Sequence, residues 1–416
     1  MIKAVTGTKD ILPIDIPKWN FLESVVKSVF KSFNYSEIRT PIFEETSLFA
    51  RGIGEETDIV GKEMYTFLDK GQTSITLKPE MTASVVRAYI EHSLASKQPL
   101  HKLFYISPMF RQERPQAGRL RQFHQFGAEA LGSESPLLDT EMIQMVYDIL
   151  KKLGLKDLMV KINSLGIPEV RENYKKVLRD FLLPKKNLLS EDSRKRFDTN
   201  ILRIFDSKVE SDQELLKDAP MLIEHLDEKS KEDFQVVKNV LSSVQIPFEV
   251  DSKLVRGLDY YTKTTFEIVS GKVGSQSALC GGGRYDLLAE QLGGKPSPGV
   301  GFAAGIERIL LACENEKSLN IPDEKLDFYI VTIGENPIDK VYEVASILRR
   351  RDFSVEFDYL RRSAKAQMRE ANRLNSRFVI FFGGDEYAQG LVSLKDMQSS
   401  EQRQILISEL SNIIID

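Results

Sequence analysis

The chain has 416 residues, 42% of them hydrophobic and 28% charged, with a formal net charge of −4. That length exceeds what one hydrophobic core usually serves, so more than one domain is expected, and the near balance of charge excludes a globally basic nucleic-acid binder. No apolar run approaches the roughly 18 residues that span a bilayer, and two cysteines and four histidines without Cys-x-x-Cys or i,i+4 histidine spacing exclude a disulfide framework and a zinc clip.

The N-terminus, Met1 to Thr8, lacks the apolar core of a secretory signal, which points to the cytoplasm. Lys18 to Phe33 then carry Trp19, Leu22, Val26, Val29, Phe30 and Phe33 at the spacing of one helix face. Strand patterns follow over Glu37 to Pro41, Glu63 to Phe67, Thr73 to Leu77 and Leu103 to Ile106, and helical patterns over Met81 to His92 and Asp139 to Leu153. Strands in succession with few intervening helices predict an α+β domain on an antiparallel or mixed sheet. From about 168 to 244 charged helical runs replace the strand signals, and this stretch reads as a helical insertion. Beyond a loop containing Asn320 and Pro322, strand and helix alternate from Phe328 to Phe382, the pattern of a small α/β domain. The expected domains are therefore 1–325 and 326–416.

Five segments carry chemistry. Leu254 to Tyr261 (Leu-Val-Arg-Gly-Leu-Asp-Tyr-Tyr) and Ala278 to Asp286 (Ala-Leu-Cys-Gly-Gly-Gly-Arg-Tyr-Asp) each set a cation and aromatic hydroxyls beside glycine, a combination suited to gripping a small polar ligand against exposed backbone. Phe110 to Glu129 reads as strand, loop, strand, with Pro115 and Gly118 in the loop; period-two alternation puts Gln125, Gly127 and Glu129 on one face. Gly299 to Leu310 reads as a small-residue strand entering an apolar helix, with Arg308 near the junction. Lys78-Pro79-Glu80-Met81-Thr82 is a helix start, Pro79 and Glu80 being favoured there by fixed φ and by the helix dipole. The triple glycine is no phosphate-cradling Walker loop, since no Gly-Lys-Ser/Thr follows. Each segment alone has an ordinary explanation: a solvated hairpin, close strand-to-helix packing, a capped helix or a pair of core tyrosines.

Taken together, they resemble the histidyl-tRNA synthetase family. Phe110-Arg111-Gln112-Glu113 with its loop and second strand is similar to motif 2 of class II aminoacyl-tRNA synthetases, Gly299 to Leu310 to motif 3, Thr40-Pro41 to motif 1, and the two glycine-bearing segments to the family's histidine motifs. The resemblance implies a class II antiparallel-sheet catalytic domain with a helical insertion and a small α/β anticodon-binding domain. It implies a histidine–tRNA ligase that uses ATP and Mg²⁺ to form histidyl-adenylate and then charges tRNA(His), with a homodimer meeting near Pro41 and no membrane association.

By the same resemblance Arg111, Arg256 and Arg308 are the catalytic cations, with Arg111, Glu113 and Arg308 on ATP. Glu80, Thr82, Arg111, Gln125, Glu129, Arg256, Tyr260, Tyr261 and Tyr285 surround histidine. Arg114, Gln116, Arg119 and Arg121 of the motif 2 loop are placed for the tRNA acceptor end. Met81 and Leu287 stand where the family often has glycine. Basic residues from Arg349 to Arg377 lie among acidic ones in the C-terminal domain, where Gly383 to Glu386 and Val392 to Asp396 also resemble the family. The rival reading is the regulatory subunit of ATP phosphoribosyltransferase, a paralogue that keeps this core but lacks the C-terminal domain.

Overall fold

The structure is a computed structural model that describes the chain except residues 55, 56, 58, 117, 256–259, 272–277, 322–324, 335–337, 384–387 and 414–416. It divides into two compact units, Met1–Asn320 and Ile321–Asp416.

The first unit is organised by an eight-stranded sheet. Its strands are β1 (Ser36–Glu37), β5 (His101–Phe110), β6 (Gln122–Leu131), β7 (Leu158–Ser164), β8 (Phe248–Val250), β9 (Thr262–Ser270), β10 (Ala278–Arg284) and β11 (Gly299–Gly305), in the order β1-β5-β6-β11-β10-β9-β7-β8. The pairings are antiparallel except at the two edges, where β1 meets β5 and β7 meets β8 in parallel. A separate three-stranded sheet has the order β2-β4-β3, from β2 (Phe43–Glu45), β3 (Tyr65–Leu68) and β4 (Ser74–Leu77). The strand expected over 37–41 closes after Glu37: Ile38 still donates to Phe104 (2.8 Å), but Pro41 has no N–H to extend a ladder.

Helices close one face of the large sheet. In α1 (Ile16–Ser32) the buried Leu22, Val26, Val29 and Phe30 follow the helical repeat, and the Phe30 ring stacks on Phe104 at 4.6 Å. The helix α4 (Pro136–Lys152) begins with Ser135 accepting from the Leu137 N–H and a proline in its first turn, then buries a face rich in Met, Ile, Val and Leu. Between these come α2 (Thr46–Ile53) and α3 (Thr82–Glu91).

The insertion comprises α5 (Pro168–Leu182), α6 (Glu191–Thr199), α7 (Glu210–Leu215) and α8 (Glu228–Ser243), joined by 3₁₀ turns. Its end α8 returns Phe234, Val237 and Leu241 to the same core as α1 and α4, while Tyr174, Leu178, Ile201 and Ile204 share a second core with Tyr260 and Tyr261. A short α9 (Leu288–Gln291) and α10 (Ile306–Glu316) complete the unit.

In the second unit β12 (Phe328–Ile333), β13 (Val355–Phe357) and β14 (Phe378–Gly383) are parallel, and β15 (Leu391–Asp396) and β16 (Gln402–Leu406) add antiparallel, in the order β13-β12-β14-β15-β16. Alternate residues of β12 point to opposite faces: Phe328 and Ile330 pack with Val341 and Leu348 of α11 (Ile338–Arg349), and Tyr329 and Val331 with Ala371 of α12 (Ala364–Arg373). No helix among the described residues is long and apolar enough to cross a membrane.

Candidate active site

The sheet face opposite α1 floors a cavity of about 510 Å³. Period-two alternation explains the division of labour in β6: Phe126, Ala128 and Ala130 enter the core with α1, whereas Gln125, Gly127 and Glu129 face the other way. On the neighbouring β11, Val300, Phe302 and Ala304 face the same core and Gly301 lies opposite. A Cβ on Gly301 would come within 1.7 Å of the Glu129 Oε2, and one on Gly127 within 2.4 Å of the Tyr105 hydroxyl. Both glycines are therefore required by close approach of a polar side chain to the strand.

The polar end of the cavity is built on Glu129. This side chain is completely buried beneath the lining and accepts from the Thr82 hydroxyl at 2.7 Å, the Tyr105 hydroxyl at 3.4 Å and the Tyr285 hydroxyl. Burial pushes its carboxyl up to about 8, and the nearby Glu80 adds to the rise; the bonds from Tyr285, Thr82 and Tyr105 pull the other way. Glu80 caps α3, its two oxygens accepting from the Thr82 and Ala83 N–H groups at 2.7 and 2.9 Å. The helix start expected there is thus capped from one residue outside the helix, and burial raises this carboxyl too. Gln125 lines the cavity with a buried Oε1 that has no hydrogen-bond partner among the described residues. Such an acceptor is costly to leave unpaired and calls for a donor from a ligand.

Tyr260, Tyr261 and Tyr285 form one aromatic wall, with ring centroids 4.7 and 5.7 Å from Tyr260. All three are buried, so they serve the core and line the cavity at once. Residues 256–259 lie outside the described residues, and Arg256 with them.

Cations line the cavity as well. Arg111 donates from Nε to the Pro79 carbonyl at 2.9 Å, its guanidinium over the Phe123 ring. Arg308, in the first turn of α10, donates from Nη1 to the Ala278 carbonyl at 2.7 Å. Burial and the like charges of Arg119 and Arg111 hold its guanidinium below the usual value, with Glu113 and Glu267 acting in the opposite sense. A site that gathers buried cations in this way favours an anion.

The loop between β5 and β6 is less uniform than its sequence suggests. Arg114 and Gln116 are exposed, while Arg119 lines the cavity and meets Glu113 at 3.3 Å. Arg121 turns back to the Glu113 and Thr6 carbonyls, both at 3.3 Å.

Arg284 corrects an expectation. The glycine-bearing segment was expected to offer its cation to a ligand, yet this side chain is 1% exposed, forked onto Asp139 and bonded to the Ser133 and Ser135 carbonyls and to Asp286. It is a buried strut between β10 and α4.

Sequence reasoning missed Tyr105, Glu267 and the insertion's Arg203 and Asp206, all but Tyr105 on the cavity wall. Glu267 had a signal, a charge flanked by the apolar Phe266, Ile268 and Val269 of a strand. Arg203 and Asp206 had none, since only the packing of Ile201 and Ile204 brings their turn to the cavity.

The chain matches the family model described as histidyl-tRNA synthetase over residues 7–309 and that described as anticodon binding domain over 327–416. It is 48% identical to the histidine–tRNA ligase of Halothermothrix orenii over 410 residues, covering 98% of each chain. Over 415 residues, 100% of this chain and 99% of the relative, it is 46% identical to the histidine–tRNA ligase of Caldanaerobacter subterraneus. Its fold is similar to that of apo histidyl-tRNA synthetase from S. aureus, with a TM-score of 0.84, 40% identity and 99% coverage of both chains. The chain belongs to the histidyl-tRNA synthetase family.

Proposed function

We propose that this protein is a histidine–tRNA ligase whose two half-reactions take place in the cavity between Glu129 and Arg308. The observation that carries the reading is the union, around one cavity, of an unpaired acceptor on Gln125, the buried Glu129 on the same face of β6, and Arg111 and Arg308. A polar, partly cationic metabolite fits the amide and carboxylate and a polyphosphate the arginines.

Histidine lies with its imidazole against Tyr261, Tyr285 and Glu129. An imidazole N–H needs an acceptor and its second nitrogen a donor, and a buried pair of such partners rejects analogues that cannot make both bonds. The α-ammonium group satisfies Gln125 Oε1, beside Thr82 and the remaining lone pairs of Glu80, with Tyr260 closing the side. ATP binds with its α-phosphate on Arg111 and its γ-phosphate on Arg308. Arg256 holds the histidine carboxylate and the α-phosphate.

A histidine carboxylate oxygen then attacks the α-phosphorus in line; the new O–P bond forms as the bond to pyrophosphate breaks. Positioning and neutralisation of charge on the phosphoryl oxygens supply the catalysis, with no side chain acting as nucleophile. In the second step a hydroxyl of the terminal tRNA ribose attacks the acyl carbonyl and AMP leaves.

No group of three or more His, Cys, Asp or Glu that could hold a metal by itself occurs among the described residues. Mg²⁺ is carried mainly by phosphates with one or two carboxylates. Glu113 and Glu267 on the cavity wall are the carboxylates to hold it. Held by them, the ion would supply charge neutralisation for the triphosphate.

The exposed Arg114 and Gln116, with Arg119 and Arg121 behind them, meet the tRNA acceptor end, and the second unit binds the anticodon stem. A homodimer forms on the small sheet near Pro41, where Phe43, Phe67 and Leu68 are 54, 48 and 59% exposed. The protein works in the cytoplasm. Histidine-dependent ATP–pyrophosphate exchange tests the reading: folded protein with Mg²⁺ that shows no exchange is no ligase, and a histidine-sensing regulatory role replaces it.

A further inference from the structure

The last rung between β11 and β6 pairs Gly305 with Gln125, after which the chain turns into α10. The next N–H along β6, that of His124, is taken by a side chain instead of a strand. Both oxygens of Glu307 accept it, at 2.9 and 3.0 Å, and Oε1 also pairs with the His124 ring Nδ1 at 2.9 Å. The ring is held from a third element, with the Trp19 ring of α1 edge-on at 4.9 Å. Glu307 thus continues the ladder past the end of β11 and fastens the first turn of α10 to β6. A carboxylate at this position is also favoured by the helix dipole.

What this fastening controls is set by its neighbours in sequence. Arg308 follows Glu307 directly, and its guanidinium, tethered at Ala278, is the cation assigned above to the γ-phosphate. Gly118 of the motif 2 loop packs on Arg308, where an added Cβ would lie 3.8 Å from its Cγ. With its backbone held through Glu307 and its head through Ala278, Arg308 has little freedom to swing. Displacements of about 1 Å in such a group can cost on the order of a hundredfold in rate.

We infer that Glu307, locked by His124, is a positioning residue that aims Arg308 at the triphosphate. The inference rests on the ligase reading, and wild-type exchange separates the two: no exchange in the wild type overturns that reading, whereas normal wild-type exchange leaves the clamp to be judged by its variants. The experiment titrates ATP and histidine separately in pyrophosphate exchange with full-length Glu307→Ala, Glu307→Gln and His124→Ala, well below each variant's melting temperature. For Glu307→Ala the KM for ATP is expected to rise about tenfold or more while that for histidine stays within about twofold. Glu307→Gln keeps one acceptor for the His124 N–H and recovers part of the loss. His124→Ala leaves the backbone rung and shows a smaller shift of the same kind. An unchanged KM for ATP, or equal losses for both substrates, overturns the inference and leaves the pair a stabilising contact only. Should Glu307→Ala fail to fold, the other two variants decide by the same criterion.

Discussion

The Thr82 hydroxyl donates to the Glu129 carboxylate across 2.7 Å, joining the first residue of α3 to the C-terminal half of β6 at a buried point. Glu129 therefore responds to pH as a group inside the protein, and burial pushes it up to about 8. The unliganded pocket holds a proton there at neutral pH. Neutral histidine brings a second proton site, its imidazole, and the complex is stable with one proton shared between carboxyl and ring. Below about 6.5, the ordinary imidazole value, histidine must shed a proton to bind. Above about 8 Glu129 must recover one. Affinity for histidine is therefore expected to peak between these limits and to fall about tenfold per pH unit beyond either. Calorimetric titration from about pH 5.5 to about pH 9.5 checks it. Glu129→Gln should bind weakly and lose the alkaline limb; an alkaline limb that survives the substitution assigns the titration elsewhere.

The same carboxyl affects stability with a definite sign. Its folded value lies above the ordinary 4.5, so its contribution is complete below that value and is lost as pH rises through about 8. Ligand-free Glu129→Gln is accordingly expected to melt higher than wild type at alkaline pH, the gap closing as pH falls toward 5, or about half a unit above the ordinary carboxyl value. Thermal denaturation at both ends of the range measures this; a gap of one size throughout would show that ionisation has no part in it.

Gly301 tests the packing around that carboxylate. A methyl group at this position meets Glu129 Oε2 at 1.7 Å and the Ala128 carbonyl at 2.6 Å, both held by other bonds, so neither can yield cheaply. Gly301→Ala is expected to cost about 1–3 kcal/mol or more by overpacking and to remove histidine activation. Wild-type melting temperature and exchange in this variant would refute the close approach.

Much of this arrangement is visible in the sequence because it depends on local periodicity. The alternation Gln125, Gly127, Glu129 identifies the polar face of β6 without reference to any other strand, and Pro136 and Pro168 each stand at the start of a helix. Features that depend on distant partners are not visible. The carboxylate that receives Arg284 belongs to Asp139, 145 residues earlier, so an arginine beside glycine looks the same whether it faces a ligand or a core. Likewise the turn carrying Arg203 and Asp206 reaches the cavity through contacts of Ile201 and Ile204 with residues beyond the insertion. The two antiparallel strands that end the second unit, β15 and β16, follow a charged, irregular stretch with little alternation to reveal them.

Arg284 separates a scaffold from a ligand-binding role. Its guanidinium and the Asp139 carboxylate are each 1% exposed, so removal of one partner strands a charge away from water. Breaking such a pair costs about 3–5 kcal/mol, whereas replacing both partners by apolar residues of similar volume is often nearly neutral. Arg284→Met is therefore expected to lower the melting temperature strongly and Arg284→Lys to recover little of it, because a single ammonium cannot span Asp139, Asp286 and two carbonyls. The double variant Arg284→Met with Asp139→Leu should regain part of the stability, short of the bonds lost at Ser133 and Ser135. Histidine binding by whichever variant remains folded should stay close to wild type, since the cation does not reach the cavity. A folded Arg284→Lys protein with normal stability and a large loss of histidine affinity would reverse the assignment and return Arg284 to the ligand.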